Sequence, residues 1–295
     1  MLTAIHILLS YACNYECDHC FLYCGPHSKG TFTIGQVREV LRQAADVGTI
    51  DQIYFEGGEP FQFYAVMLEG IRTAREMDFK AGIVTNAYWA TSVEDAELWL
   101  RPFRELGLSK LSISDDSLHH GEGEETPAKR ALAAAEKLGI AAGALCTEKP
   151  AVRIGEKGQP EVTGGVMFKG RAVDKLTEGL PRRPWRELTT CPHEDLANPS
   201  RVHVDAYGNV HVCQGLCIGN VWRTPLAALF ESYDAKAHPI CGPLVAGGPA
   251  RLAEEYDVEH DETYVDECHF CYVVRLALID RFPEHLTPRQ VYGLE

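Results

Sequence analysis

The chain has 295 residues, 45% hydrophobic and 24% charged, enough to bury one large core plus a smaller module, which excludes disordered and fibrous classes. Its 28 Lys plus Arg against 42 Asp plus Glu give a formal charge of −14, which repels nucleic-acid phosphates and anionic membrane surfaces, so neither is an expected partner. No apolar run of about 18 residues could span a bilayer, and the apolar start lacks the cationic segment of a secretory signal, so a cytoplasmic protein is expected.

In chain order, Ala4 to Leu9 reads as a first strand. Thr33 and Gln36 form a capping box ahead of a helix whose Ile34, Val37, Leu41, Ala44 and Ala45 share a face. Gln52 to Phe55 is the next strand, followed by a helix over Phe61 to Met77 and a strand over Ala81 to Thr85. Ser92 with Asp95 caps a helix carrying Leu98, Trp99 and Phe103, and Leu108 to Ser114 is a fourth strand. Thr126, Pro127 and Gly139 bracket a further helix before a fifth strand, Ile140 to Cys146. Such alternation predicts βα units around a parallel sheet. Lys149 to Gly165, rich in Gly, Pro and Lys, reads as a loop before a sixth strand over Val166 to Lys169. Arg201 to Asp205 and Asn209 to Cys213 then alternate around Tyr207-Gly208-Asn209, a hairpin signal. A second, smaller module therefore starts near Arg182, and the expected division is 1–181 and 182–295.

Eleven cysteines, an odd number, argue against complete disulfide pairing and for metal or redox chemistry. They form two groups, with Cys146 alone between them. Cys13, Cys17 and Cys20 are spaced C-x3-C-x2-C directly after the first strand, with Cys24 close by. Three thiolates can hold three irons of a [4Fe-4S] cube and leave the fourth iron open, whereas zinc would take a fourth ligand from His19 or Cys24. Gly57-Gly58-Glu59-Pro60 closes the second strand. Its glycines let a backbone approach a ligand closely, and its carboxylate can accept from an ammonium group.

Together, Cys13 to Cys20 and Gly57 to Pro60 resemble the radical S-adenosylmethionine (SAM) enzymes. The resemblance implies a partial (β/α)6 barrel in an α/β fold, with a small hairpin-and-helix extension. It further implies that an open iron chelates SAM's amino and carboxylate groups, while Gly57, Gly58, Glu59 and Pro60 bind the amino group. Thr85 and Asn86 look like the family's TN pair, with Ala87 where a glycine often follows. Ser114 and Asp116, with His119, stand where the family places polar contacts to SAM or substrate; the alternative is a solvated turn. Gly170-Arg171-Ala172 resembles a GRA segment that follows the last barrel strand, which makes Arg171 a further expected cofactor contact. All these segments fall at strand C-terminal ends, the face on which barrel enzymes assemble their sites.

In the second group, Cys213 ends a G-x4-C hairpin begun at Gly208. With Cys191 and the Cys268-x2-Cys271 pair it makes four thiolates, enough for a second [4Fe-4S] cluster or a zinc ion. This resembles the twitch or SPASM extension of the same family. No cysteine follows Cys271, which implies a single auxiliary cluster. Cys217 or Cys241 could replace Cys191 as ligand. His203, His211 and His269 read as hairpin-packing or surface residues, and Cys24 and Cys146 as buried thiols without a ligand role. Cys217, four residues past Cys213, is expected to be either a hydrogen-atom donor to the substrate or a labile cluster ligand.

The implied function is reductive cleavage of SAM to a 5′-deoxyadenosyl radical that abstracts hydrogen from a substrate. A peptide is favoured as substrate over a small metabolite undergoing rearrangement or oxidation, and a flavodoxin or ferredoxin-type protein is expected to supply electrons. A non-catalytic iron–sulfur or zinc scaffold is the reading of another class; Gly57 to Pro60 argue against it, because a scaffold needs no cradle for SAM.

Overall fold

The structure is a computed structural model that describes residues 1–156 and 158–294. Five strands, β1 (Ala4–Ser10), β2 (Gln52–Gly57), β3 (Lys80–Thr85), β4 (Lys110–Ser114) and β5 (Ala142–Leu145), lie parallel and in chain order within one sheet. The helices between them are α1 (Ile34–Val47), α2 (Tyr64–Glu76), α3 (Val93–Glu105), the single turn α4 (Ser117–His120) and α5 (Pro127–Leu138). Their ends follow local chemistry. The Thr33–Gln36 capping box starts α1, and Gly48 in the left-handed region at φ 75° stops it. Thr126 and Pro127 start α5, and Gly139 stops it. Within α3, Ala96, Leu100 and Phe103 face the core while Leu98 is 58% exposed, one position off the buried stripe. The helix expected from Phe61 begins instead as a 3-10 turn over Pro60–Phe63, because the Glu59 side chain accepts from the Phe61 amide and α2 starts only at Tyr64.

Beyond β5, residues expected to form a loop contain an antiparallel hairpin, β6 (Ala151–Ile154) and β7 (Pro160–Thr163). The expected sixth strand over Val166 to Lys169 does not form. Gly164, Gly165 and Gly170, at φ 110°, 78° and 61°, turn the chain away from the sheet on both sides of it. After α6 (Arg171–Lys175) and the short β8 (Arg183–Pro184), the place of a sixth parallel strand goes to β9 (Arg201–Asp205). It pairs with the free side of β1, His6 opposite His203. The hairpin β10 (Asn209–Cys213) and β11 (Leu216–Asn220) then extends the sheet to eight strands in the order β11-β10-β9-β1-β2-β3-β4-β5. Asp205 builds the hairpin turn by accepting from the amides of Tyr207 and Asn209 at 3.0 and 2.9 Å.

The rest of the chain is α7 (Leu226–Ser232), α8 (Cys241–Tyr256), β12 (Thr263–Tyr264) on β8, and α9 (Glu267–Leu278). Ile5, Phe55 and Ile83 share one apolar cluster with Val202, Val210 and Phe270, so the later segments pack on the same core as the first five βα units. Among the described residues no helix is long and apolar enough to cross a membrane.

Candidate active site

A cavity of about 440 Å³ opens at the C-terminal ends of β1 to β5. Cys13, Cys17 and Cys20 form one wall and Gly57, Gly58, Thr85 and Asn86 face them, so segments distant in sequence meet at one site. The cysteine loop is held from outside the cavity. The Arg171 guanidinium donates to the carbonyls of Cys17 and Cys24 at 2.9 and 2.8 Å, and its amide donates to the Cys20 carbonyl at 3.0 Å. A Cβ on Gly170 would lie 2.6 Å from that Cys20 carbonyl. Arg171, expected as a cofactor contact, stands behind the loop and fixes its shape, and it does not line this cavity.

Glu59 takes part in the same support. It is fully buried and does not line this cavity. Its carboxylate accepts from the Phe61 amide at 3.0 Å, the Thr85 hydroxyl at 2.8 Å and the Asn86 amide at 2.8 Å, and burial pushes its carboxyl up to about 7. Pro60 is buried as the first residue of the 3-10 turn. Gly57 and Gly58 do reach the cavity, but their missing side chains make room for the chain itself. A Cβ would meet the Ser10 carbonyl at 2.3 Å or the Ala12 carbonyl at 2.1 Å. The motif thus clamps the stem of the cysteine loop through the Gly58 amide on Ser10 and the Glu59 amide on Ala12.

Asn86 continues this chain of contacts to a thiol. Its Nδ2 donates to Asn14 Oδ1 at 3.0 Å and lies 3.7 Å from Cys13 Sγ, which also receives the Tyr15 amide at 3.4 Å. Ala87 takes the left-handed conformation, φ 58°, at the position where a glycine often stands. Burial pushes the Cys13 and Cys17 thiols up to about 12, whereas the bond from the Cys24 thiol lowers Cys20 to about 6. Buried thiols become thiolates when a metal replaces their protons, and N–H donors aimed at sulfur are what such a ligand needs. These residues fit an iron–sulfur cluster.

Ser114, Asp116 and His119 all lie on the cavity wall rather than in a solvated turn. Asp116 Oδ1 caps α4 through the amides of Leu118 and His119 and holds His119 Nδ1 at 2.9 Å. Burial alone would raise its carboxyl, but His119, the Thr147 amide and His19 together hold it below the ordinary value. The His119 ring meets His19 edge-on at 4.6 Å. Burial lowers His19 to about 4, and its Nδ1 is buried without a hydrogen-bond partner among the described residues.

The second cysteine group also converges. Cys213 ends β10, Cys268 and Cys271 occupy the first turns of α9, and Cys191 lies in the segment before β9. Burial raises Cys191, Cys268 and Cys271, the last to about 11, and the charge of Cys213 adds to each. Two buried cations attend them. Lys169 Nζ is 3.5 Å from Cys213 Sγ and donates to Gln214 Oε1 at 2.8 Å, and the fully buried Arg275 donates to the Gln214 carbonyl at 3.1 Å. Among the described residues neither forms an ion pair with a carboxylate, so a site carrying several thiolates is their natural counter-charge.

Cys217 lies outside both groups. It is completely buried opposite His211, with Sγ 3.2 Å from His211 Nδ1 and donating to the Thr287 carbonyl at 3.5 Å, and it does not line the cavity. His211 in turn lies 3.2 Å from Asp205, whose Oδ2 also accepts from Tyr11. His203 and His211 are core rather than surface residues, and Cys146 is exposed rather than buried. Sequence reasoning missed Lys169, Arg275 and Asn14. A lysine directly before the GRA segment was the one available sign.

Residues 7–143 match the Radical SAM superfamily. The chain is 21% identical over 263 residues to YydG of Bacillus subtilis (strain 168), a protein assigned by name to peptide biosynthesis, across 88% of this chain and 75% of that one. It is 29% identical over 119 residues to an S-adenosylmethionine-dependent nucleotide dehydratase of Selenomonas ruminantium, across 39% of this chain and 41% of that one. Among solved structures, BtrN in complex with AdoMet and 2-DOIA aligns with a TM-score of 0.51 at 16% identity, over 79% of this chain and 83% of that one, a likeness of fold.

Proposed function

We propose that this chain, a radical SAM enzyme by virtue of its domain at residues 7–143, uses SAM to abstract hydrogen from a peptide and so modify it. The observation that carries the reading is the single cavity shared by Cys13, Cys17 and Cys20 with Gly57, Gly58, Thr85 and Asn86. In this reading those three thiols hold the [4Fe-4S] cluster, which supplies a low-potential electron and an open iron for SAM's methionine end. The chain's own residues do the rest. Asn86 and the Tyr15 amide stabilise Cys13 as thiolate, Arg171 fixes the loop, and Asp116 with His119 offers polar contacts beside it. Phe21, Leu22 and Met167 line the cavity with apolar surface that keeps water from a reactive carbon.

Cys191, Cys213, Cys268 and Cys271 are assigned to one auxiliary [4Fe-4S] cluster in a module starting at residue 182. The spread of the sulfurs supports a cluster over a single zinc, since no three cysteine sulfurs among the described residues lie within 4.8 Å of one another. Tetrahedral zinc would hold them about 3.8 Å apart, from Zn–S bonds of about 2.3 Å. A flavodoxin or ferredoxin-type protein is proposed as the electron donor, and the cytoplasm as the site of action. The likeness to YydG along most of the chain supports a peptide. The likeness to the nucleotide dehydratase, over 39% of this chain, supports a small metabolite as the second reading.

The test is 5′-deoxyadenosine formation by the anaerobically reconstituted protein with SAM and dithionite. Slow formation without substrate is expected, together with its loss in the Cys13, Cys17 and Cys20 triple alanine variant. Acceleration by a peptide encoded beside the gene supports the first reading, and acceleration by a nucleotide supports the second. Equal formation by the triple variant overturns both.

A further inference from the structure

Below the cysteine loop, the cavity runs down into the barrel to three side chains that no step above uses. His6 on β1 and Glu56 on β2 line it, and His203 on β9, buried and paired with His6, lies against Glu56 without lining the cavity itself. His6 Nδ1 lies 3.0 Å from Glu56 Oε2, and His203 Nε2 lies 3.0 Å from Glu56 Oε1. One donor atom from each residue falls within 4.8 Å of the other two. All three stand on adjacent strands of one sheet, with His6 directly opposite His203, so backbone pairing rather than loop conformation sets their spacing.

We propose that His6, Glu56 and His203 bind one divalent transition-metal ion of the Mn(II), Fe(II) or Co(II) type on the cavity floor, presenting its open positions to the substrate. The donor set is two imidazoles and one carboxylate, the combination that leaves sites free on an octahedral ion. The spacing fits. Ligands at about 2.1 Å from a metal and at right angles to one another are about 3.0 Å apart, by the same bond lengths. Each imidazole keeps that distance from a different oxygen of Glu56, which matches a carboxylate binding through both oxygens with one nitrogen beside each. Four donors then leave two positions for water or for an oxygen of the substrate.

Charge favours the same occupant. Among the described residues no Lys or Arg pairs with Glu56, which leaves a half-buried negative charge facing the cavity. The other histidine–carboxylate set, His19 with Asp116 and His119, adjoins the cysteine loop and is not part of this proposal.

Binding is measured on the reconstituted protein with its clusters oxidised, without SAM, so the outcome does not depend on the radical SAM reading. Mn(II) is the probe because it has little affinity for thiols, and the six-line room-temperature EPR signal of the free ion reports what remains unbound. The expected result is one bound Mn(II) per chain, weakened at least about tenfold by Glu56→Gln and by His203→Gln at unchanged iron content. Asp116→Asn should leave the affinity as it is. If either floor variant fails to fold, electron spin echo modulation of Mn(II) bound to the wild type must show two imidazole nitrogens. No binding at millimolar Mn(II), binding indifferent to Glu56→Gln, or bound Mn(II) without nitrogen coupling overturns the proposal and leaves the trio a hydrogen-bonded network only.

Discussion

The carboxylate of Glu59 accepts the amide hydrogen of Asn86 at 2.8 Å, and that bond links the end of β2 to the residue whose side chain reaches Cys13. Glu59→Gln keeps the shape but turns an N–H toward one of three donors, leaving an unpaired buried group worth about 1 to 3 kcal/mol. The variant should retain its iron, melt lower and bind SAM more weakly through a loosened Asn86. Calorimetric SAM titration beside an iron assay checks this. Unchanged SAM affinity would remove Asn86 from the binding argument.

The same residue carries a pH signature. Its folded value, raised to about 7 by burial, lies above the unfolded carboxylate value. Its contribution to stability is therefore complete below the unfolded value and is lost as pH rises through about 7. Glu59→Gln lacks that loss, so the gap in Tm between wild type and variant should narrow from pH 5 to pH 8. A constant gap contradicts the assignment.

Gly170→Ala tests the clamp behind the cysteine loop. The glycine sits at φ 61° and its Cβ would press on the Cys20 carbonyl, so strain of about 1 to 3 kcal/mol should move Arg171 off the loop. Arg171→Lys, which cannot hold two carbonyls with one planar fork, should act in the same direction. Both variants should lose iron from the first cluster selectively and keep that of the second. Loss from both clusters together would point to general unfolding instead.

The first five βα units were legible in the sequence because their signals are local: a capping box at Thr33, a Pro127 start, a Gly139 stop and apolar alternation between. Both cysteine groups were legible through spacing. Pairings between distant segments were not. Nothing near Arg201 says that it will run parallel to Ala4, and the apolar run at Val166 looks like a strand until the flanking glycines turn it outward. Glu59 reads as a free carboxylate beside two glycines; only packing reveals that three donors of its own chain occupy it. His6, Glu56 and His203 come from three strands whose adjacency no local pattern records.

Two cubes imply about eight irons per chain after anaerobic reconstitution. The Cys13, Cys17 and Cys20 triple alanine variant should keep about half, bound by the second group. One zinc with about four irons in the wild type would replace the auxiliary cluster and leave the first intact.

Lys169 should tune that auxiliary cluster. Its ammonium stands 3.5 Å from Cys213 Sγ in a buried setting, where added negative charge is stabilised by a nearby cation. Lys169→Met should therefore make the cluster harder to reduce, shifting its potential to more negative values in an EPR-monitored redox titration. A shift of the opposite sign, or none, separates Lys169 from the cluster.

Cys217 was expected either to donate hydrogen to the substrate or to act as a labile ligand, and its surroundings bear on the two unequally. Its sulfur is committed to His211 at 3.2 Å and to the Thr287 carbonyl, and His211 rests on Asp205, so the thiol belongs to a buried proton-bearing chain. Hydrogen-atom donation would leave a thiyl radical whose return to thiol takes one proton, which such a chain can carry, and one electron, which the proposed auxiliary cluster would supply, whereas a ligand would turn its sulfur toward Cys213. Cys217→Ala is therefore expected to keep its full iron content and the wild-type auxiliary EPR signal, which disposes of the ligand role. If the thiol is the donor, the variant still forms 5′-deoxyadenosine but stalls before product. Opening of the cavity toward β11 must then accompany turnover, because the thiol does not line it at rest. Wild-type product formation by Cys217→Ala removes the residue from the chemistry altogether.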